Sequence, residues 1–177
     1  MKTLLCFGAS NASNSINVAL ARFATQFFSD MTVNFIDLNE YEMPIFSIDR
    51  EQDSGVPDAA HRFKAQIRQA DALLISFAEH NGSYSVAFKN IMDWTSRIEK
   101  SMWLDKPMCL LATSPGGRGG QDVLRAAVNR FPHMNGLVVS HFSLPFFQRN
   151  FDSQKGILDP DLKARFQQTV LTFKNHL

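Results

Sequence analysis

The sequence predicts a single α/β domain: a five-stranded parallel sheet with helices on both faces, in three layers. Three observations predict it. Short continuous apolar runs, the pattern of strands buried on both faces, alternate along the whole chain with stretches whose apolar residues recur at helical spacing. Consecutive parallel strands need a crossover, and right-handed crossovers place the intervening helices on both sides of the sheet. No internal repeat or low-complexity linker divides the chain, and 177 residues suit one unit at roughly 150 residues per domain.

Leu4-Leu5-Cys6-Phe7 is the first strand; after a polar stretch, Ile16, Leu20, Phe23 and Phe27, widened by Ala19 and Ala24, form the first helical stripe. Val33, Phe35 and Ile36 read as the second strand, followed by a long irregular stretch from about Asn39 to Pro57. Phe63, Ile67 and Ala70 mark a helix, and Ala72-Leu73-Leu74-Ile75-Ser76-Phe77 a third buried strand. Phe88, Ile91, Thr95 and Ile98 share one helical face. Met108-Cys109-Leu110-Leu111-Ala112 is the fourth strand, and Leu124, Ala127, Val128 and Phe131 stripe the next helix. Leu137-Val138-Val139 begins the fifth strand; Leu162, Phe166, Val170, Phe173 and Leu177 close the chain as an amphipathic helix.

Composition narrows the function. With 20% charged residues and a net charge of +1, the chain carries no broad field for nucleic acid or an anionic membrane surface, and neither is expected as a partner. No run approaches the ~20 apolar residues of a membrane span. The apolar part of Lys2 to Phe7 is too short for a signal peptide and ends in a Ser/Asn tract. The two Cys, far apart, offer neither a disulfide framework nor a metal cluster, so a reduced, cytoplasmic chain is expected.

Open α/β sheets bind ligands outside the carboxyl ends of their strands, where strand order reverses. The loops after Phe7, Phe77 and Ala112 therefore matter most, and all have unusual composition. In the first, Gly8 to Asn17, seven of ten residues are Gly, Ser or Asn. Unpaired amides at a helix N-terminus, with hydroxyls and amides beside them, suit a phosphate; one helix cap explains one or two such residues. The second, Ala78 to Tyr84, joins a turn-forming Asn81-Gly82 pair to Glu79, His80 and an aromatic. Glu79 and His80 without a third ligand nearby do not make a metal site. The third, Thr113 to Gly120, holds four of the nine Gly, so backbone can approach a flat or charged ligand closely. Arg118 within it is either a phosphate or carboxylate ligand or a solvated charge.

Other phosphate motifs are absent: there is no Walker A loop and no G-x-G-x-x-G, and the position six beyond Cys6 is Ala12, where a low-molecular-weight phosphatase needs Arg. Gly8-Ala9-Ser10-Asn11-Ala12 approaches a nucleophile elbow, which makes Ser10 the nucleophile of an alternative serine hydrolase. For that reading His133, His141 and His176 are partners by chain order only.

Taken in order, the three loops resemble those of the NADPH-dependent FMN reductase family, which has the flavodoxin-like fold and includes quinone, azo-dye and chromate reductases. The family's first loop, Gly-Ser-x-Arg-x-x-Ser-x-Asn, resembles Ala9-Ser10-Asn11-Ala12-Ser13-Asn14-Ser15-Ile16-Asn17. Its second signature, Pro-Glu-Tyr-Asn-x-Ser with a Leu-Lys-Asn-x-x-Asp-Trp helix, resembles Ala78-Glu79-His80-Asn81-Gly82-Ser83 and Phe88-Lys89-Asn90-Ile91-Met92-Asp93-Trp94. The resemblance implies strand order 2-1-3-4-5, FMN as cofactor, NADPH or NADH as hydride donor, and a small electron acceptor such as a flavin, quinone, azo dye or chromate. It implies that Ser10, Asn11, Ser15, Ile16 and Asn17 hold the FMN phosphate. Ala78, Glu79, His80, Asn81, Gly82 and Ser83 would line the flavin ring; Ser114, Pro115, Gly116, Gly117, Arg118 and Gly119 would border it from the other side. No side chain need act as acid, base or nucleophile, because the chemistry is the cofactor's. A homodimer or homotetramer is implied through the helix after the second loop, with Trp94, Trp103, Phe88 and Met102 as an apolar contact.

Three departures stand out. Ala12 replaces the family Arg, removing a charge-assisted contact typically worth ~1.5–3 kcal/mol. Ala78 and His80 replace Pro and Tyr, which bears on the acceptor that fits, and Ala9 replaces a Gly. The non-enzyme alternative on the same fold is a flavodoxin-type electron carrier; such carriers are usually strongly acidic, which a net charge of +1 does not match. A degenerate fold acting only in interactions is the third class, to which Ala12 lends weight.

Overall fold

The computed structural model describes all of residues 1–177. Strand β1 (Thr3–Ala9) leads to helix α1 (Ile16–Thr25); β2 (Thr32–Phe35) is followed by a 3-10 turn (Leu38–Tyr41), short helix α2 (Ile48–Ser54) and α3 (Asp58–Gln69). Strand β3 (Ala72–Phe77) runs into a small hairpin, β4 (Glu79–His80) and β5 (Ser83–Tyr84), then α4 (Val86–Thr95). Strand β6 (Lys106–Thr113), α5 (Gln121–Arg130) and β7 (Gly136–Leu144) follow. A one-turn helix α6 (Phe147–Asn150), hairpin β8 (Phe151–Asp152) and β9 (Gly156–Ile157), and α7 (Pro160–Lys174) complete the chain.

The five long strands pair in parallel in the order β2-β1-β3-β6-β7. Counted among themselves, these strands run 2-1-3-4-5, the order the resemblance implies. Side chains alternate across the pleat, so each apolar run feeds two cores. Leu5, Phe7, Leu73, Ile75, Phe77 and Leu110 point toward α3, α4 and α5; Leu4, Cys6, Leu74, Cys109 and Leu111 point toward α1 and α7. Burial on both faces is why these strands read as continuous apolar runs rather than alternating ones.

The structure differs from the sequence reading in three places. Residues 39–57 are irregular only in part: Asp37 caps the 3-10 turn and Ser47 caps α2 by accepting from the Arg50 amide at 3.1 Å, while residues 42–47 form no helix or strand. Helix α2 buries no side chain, so it leaves no apolar stripe to read. Helix α4 stops at Thr95, which places Ile98 beyond it. Trp94, Trp103, Phe88 and Met102 are not an intersubunit contact. All four are core residues with at most 1% exposure, and the Trp103 ring lies 4.6 Å from that of Phe131.

Candidate functional site

The polar turn after β1 ends in a helix cap. The Ser15 hydroxyl oxygen accepts from the Val18 amide at 3.3 Å and the Ser15 carbonyl accepts from Ala19 at 3.1 Å. Ser10, nearly buried, accepts from the Ala12 amide at 3.2 Å. The amides of Asn11, Ser13, Asn14, Ser15, Ile16 and Asn17 have no partner in the chain. They cluster at the positive end of α1, the setting in which a phosphate is bound. The hydroxyl protons of Ser10 and Ser15 remain available as well, since both oxygens act only as acceptors in these bonds.

Asn17 belongs to this set through its backbone alone. Its side chain is buried at 2% exposure; Oδ1 accepts from the Ser76 hydroxyl at 2.8 Å and the Thr113 amide at 3.0 Å, while Nδ2 donates to the Thr113 carbonyl at 3.1 Å. It is a tie joining α1 to the carboxyl ends of β3 and β6, not a side-chain phosphate ligand.

Two more ties draw the other turns in. The Ser85 hydroxyl donates to the Ala9 carbonyl at 2.8 Å and accepts from the Phe88 amide at 3.3 Å, so one side chain caps α4 and clamps the second turn to β1. The second turn is a hairpin, with Asn81 (φ 52°) and Gly82 (φ 75°) supplying the left-handed pair that a two-residue turn requires. Glu79 Oε2 accepts from the Asp122 and Val123 amides at 2.9 and 3.0 Å. It caps α5, whose own N-cap is Gly120 with no side chain to offer. The Glu79 carboxylate thus joins the second turn to the third. His80, Asn81, Gly82 and Ser83 stay exposed at the rim.

On the third turn, Arg118 is exposed and pairs with Asp122 one helical turn on. A further segment, absent from the sequence reading, packs there. Phe146 and Phe147 donate their amides to the carbonyls of Gly116 and Ser114 at 3.0 and 3.1 Å. The Phe146 ring lies on Gly117, where a Cβ would come within 2.7 Å of its Cζ. Only the Pro145-Phe146-Phe147 cluster directly after a strand hinted at this.

Beside the first and second turns opens a cleft of about 310 Å³. Asn11 and His80 line it, together with Tyr41, Met43, Ile45 and Val86. The Met43 to Phe46 segment is held by the helix of the second signature. Asn90 accepts from the Phe46 amide at 2.8 Å and donates to the Met43 and Pro44 carbonyls at 3.1 Å; Trp94 Nε1 donates to Pro44 at 2.7 Å. That gives Asn90 and Trp94 a structural reason for their spacing. Lys89 pairs with Asp93 one turn on at 2.6 Å.

No hydrolytic triad forms. Topology puts His133, in the turn after α5, and His176, beyond α7, at the amino edge of the sheet, and Ser10 at its carboxyl edge. The Ser10 oxygen is met by a backbone amide and by no imidazole. Burial pushes the Tyr84 phenol up to about 12, so it keeps its proton at neutral pH.

Solved structures of the same fold include FerB of Paracoccus denitrificans, a flavoenzyme NAD(P)H:(acceptor) oxidoreductase (TM-score 0.74, 22% identity, 99% of both chains). A flavodoxin, WrbA-like protein of Agrobacterium tumefaciens superposes at a TM-score of 0.59 and 17% identity over 99% of both chains. The NADPH:quinone oxidoreductase of Arabidopsis thaliana is 28% identical over 147 residues, 81% of this chain and 74% of that one. An NAD(P)H-dependent FMN reductase of Pseudomonas aeruginosa is 35% identical over 119 residues, 66% of this chain and 64% of that one. The family model of the NADPH-dependent FMN reductases matches residues 1–149, from β1 through β7 and all the turns described above. The chain is therefore an oxidoreductase and belongs to the NADPH-dependent FMN reductase family.

Proposed function

We propose that the turn after β1 holds the FMN phosphate, that the β4–β5 hairpin and the glycine-rich turn border the ring, and that the acceptor is a flat quinone. The observation that carries this reading is the group of free amides from Asn11 to Asn17, tied by Asn17, Ser85 and Glu79 to the two turns that would flank a planar ring. Bound FMN would supply the redox chemistry, taking hydride from NADPH or NADH and passing it to the acceptor. The chain's own part is to bind and orient. Backbone amides and the Ser10 and Ser15 hydroxyls meet the phosphate, with Ala12 adding no charge. His80 to Ser83 and Pro115 to Gly119 set the two edges of the ring site. The neighbouring cleft, with apolar walls of Tyr41, Met43, Ile45 and Val86 and the polar ends Asn11, His80 and Asn90, suits a flat molecule carrying carbonyl oxygens. A quinone is also the acceptor named for the Arabidopsis relative.

Ile45 and Val86, on the wall of that cleft, are 58% and 67% exposed, which supports a homo-oligomer formed over it. Two buried free thiols support a reducing, cytoplasmic setting, and no helix is long and apolar enough to cross a membrane. Titration with FMN followed by anaerobic mixing with NADPH and then benzoquinone tests the reading. Flavin fluorescence should quench on binding, its colour bleach with NADPH and return with quinone. Binding without bleaching would make the protein a carrier, and no binding would overturn the site. Ile45→Asp with Val86→Asp should give a monomer by light scattering, and a monomeric parent would remove the oligomer.

A further inference from the structure

A second cleft, about 350 Å³, lies on the far side of the third turn, between α5, β7 and α7. We infer that it binds the dianion of a phosphate monoester, at a site separate from the crevice proposed for the FMN phosphate. Three elements each deliver one basic group to it: Arg125 from α5, His141 from the edge strand β7, and Arg165 from α7. Gln121 adds a neutral hydrogen-bonding group, and the floor is the buried Phe142.

The charges are only weakly compensated. Neither the Arg165 guanidinium nor the His141 ring takes part in an ion pair or hydrogen bond; Arg125 makes one long ion pair, with Asp122 at 3.9 Å, which Arg118 also engages. Two guanidinium groups on the walls of one concavity suit an anion, since their planar forks match phosphate oxygens in pairs. The volume exceeds what a bare phosphate fills and is at the lower end for an organic ligand, which favours an ester over the inorganic ion. An occupant would also touch the back of the glycine-rich turn, because the Ser143 hydroxyl donates to the Gly119 carbonyl at 2.9 Å. That adjacency leaves two sources for one chemistry: the 2′-phosphate of NADPH or a free phosphorylated metabolite. Arg118, the basic residue of that turn, pairs with Asp122.

Calorimetric titration with adenosine 2′-monophosphate, and with adenosine as control, tests the site without any flavin, so its outcome is independent of the FMN reading. The parent should bind the nucleotide and not the nucleoside. The double variant Arg125→Gln, Arg165→Gln should bind it at least about tenfold more weakly, one charge-assisted contact's worth. Both positions are exposed, so the fold should persist; the single variant Arg165→Glu, expected to abolish binding, is the second test. If KM for NADPH rises in the double variant while KM for NADH does not, the dinucleotide is the source. If both stay constant while nucleotide binding is lost, a free phosphate ester is. Equal affinity in parent and variants, or no binding by the parent at millimolar nucleotide, overturns the inference.

Discussion

Asn17 shows what a single residue's identity does and does not reveal. A polar residue at the start of a helix looks the same in sequence whether it faces a ligand or its own neighbours. Its partners Ser76 and Thr113 lie 59 and 96 positions away, beyond any local pattern. The chemistry of the turn was legible, and the direction of this side chain was not. Asn17→Ala would leave the Ser76 hydroxyl and both backbone groups of Thr113 unpaired inside the protein. The expected loss is about 2–4 kcal/mol in urea unfolding, together with weaker FMN binding as α1 loosens from β3 and β6; an unchanged midpoint would show that the tie is redundant. Ala12 tests the opposite direction. It is exposed within the cluster of free amides, so Ala12→Arg adds a charge where the phosphate is proposed to sit. FMN affinity should rise roughly 10- to 100-fold, and no change in titration would place the phosphate elsewhere.

At the scale of elements, all five sheet strands and the helices with a buried face were legible, because apolar runs and stripes record which faces are covered. What escaped notice is held by contacts rather than by pattern. Helix α2 has no buried face, the β4–β5 hairpin is two residues per strand, and the Phe146 segment rests on backbone bonds to Ser114 and Gly116. A further element-level contact is Lys64 on α3, fully buried, which donates to the carbonyls of Ser101 and Met102 at 2.6 Å each and pairs with Glu99 at 2.8 Å. It fastens α3 to the segment leading from α4 into β6. The hydrogen bond from Lys64 holds the Glu99 carboxyl below its ordinary 4.5, with the positive charges of Lys64 and Arg68 assisting. A carboxyl lowered in the folded state contributes stability that is present above its unfolded value and is lost as pH falls through the folded one. Burial pulls Lys64 down from its ordinary 10.5, far from that window, so it stays charged throughout. Unfolding free energy should therefore fall more steeply below about pH 4.5 in the parent than in Glu99→Gln; superimposable pH curves would remove Glu99 from the acid response. Lys64→Met, which leaves two carbonyls unpaired, should lower stability by about 2–4 kcal/mol at neutral pH.

Over the whole molecule, the proposed cofactor crevice and the two cores share the same strands, and this couples binding to global stability. Cys6 on β1 and Cys109 on β6 lie in the core under α1 and α7, with β3 between them. Burial pushes the Cys6 thiol well above its ordinary 9.0 and that of Cys109 to about 12. Neither thiol can ionise or meet a reagent until the sheet is uncovered. A thiol reagent at pH 8 should label neither cysteine in the folded protein and both in denaturant. Slow labelling without denaturant then reports the population of the open state, provided that closing outpaces modification. The same β1 and β6 that carry the thiols end in the turns proposed to hold FMN, so an opening that exposes them also dismantles that site. FMN at 100 times its Kd should therefore slow labelling of both thiols about 100-fold, the factor by which a ligand bound only to the folded state depletes the open one. Labelling that ignores FMN would mean that α1 or α7 lifts from the sheet while the carboxyl-edge turns stay closed, and that the core and the crevice open independently.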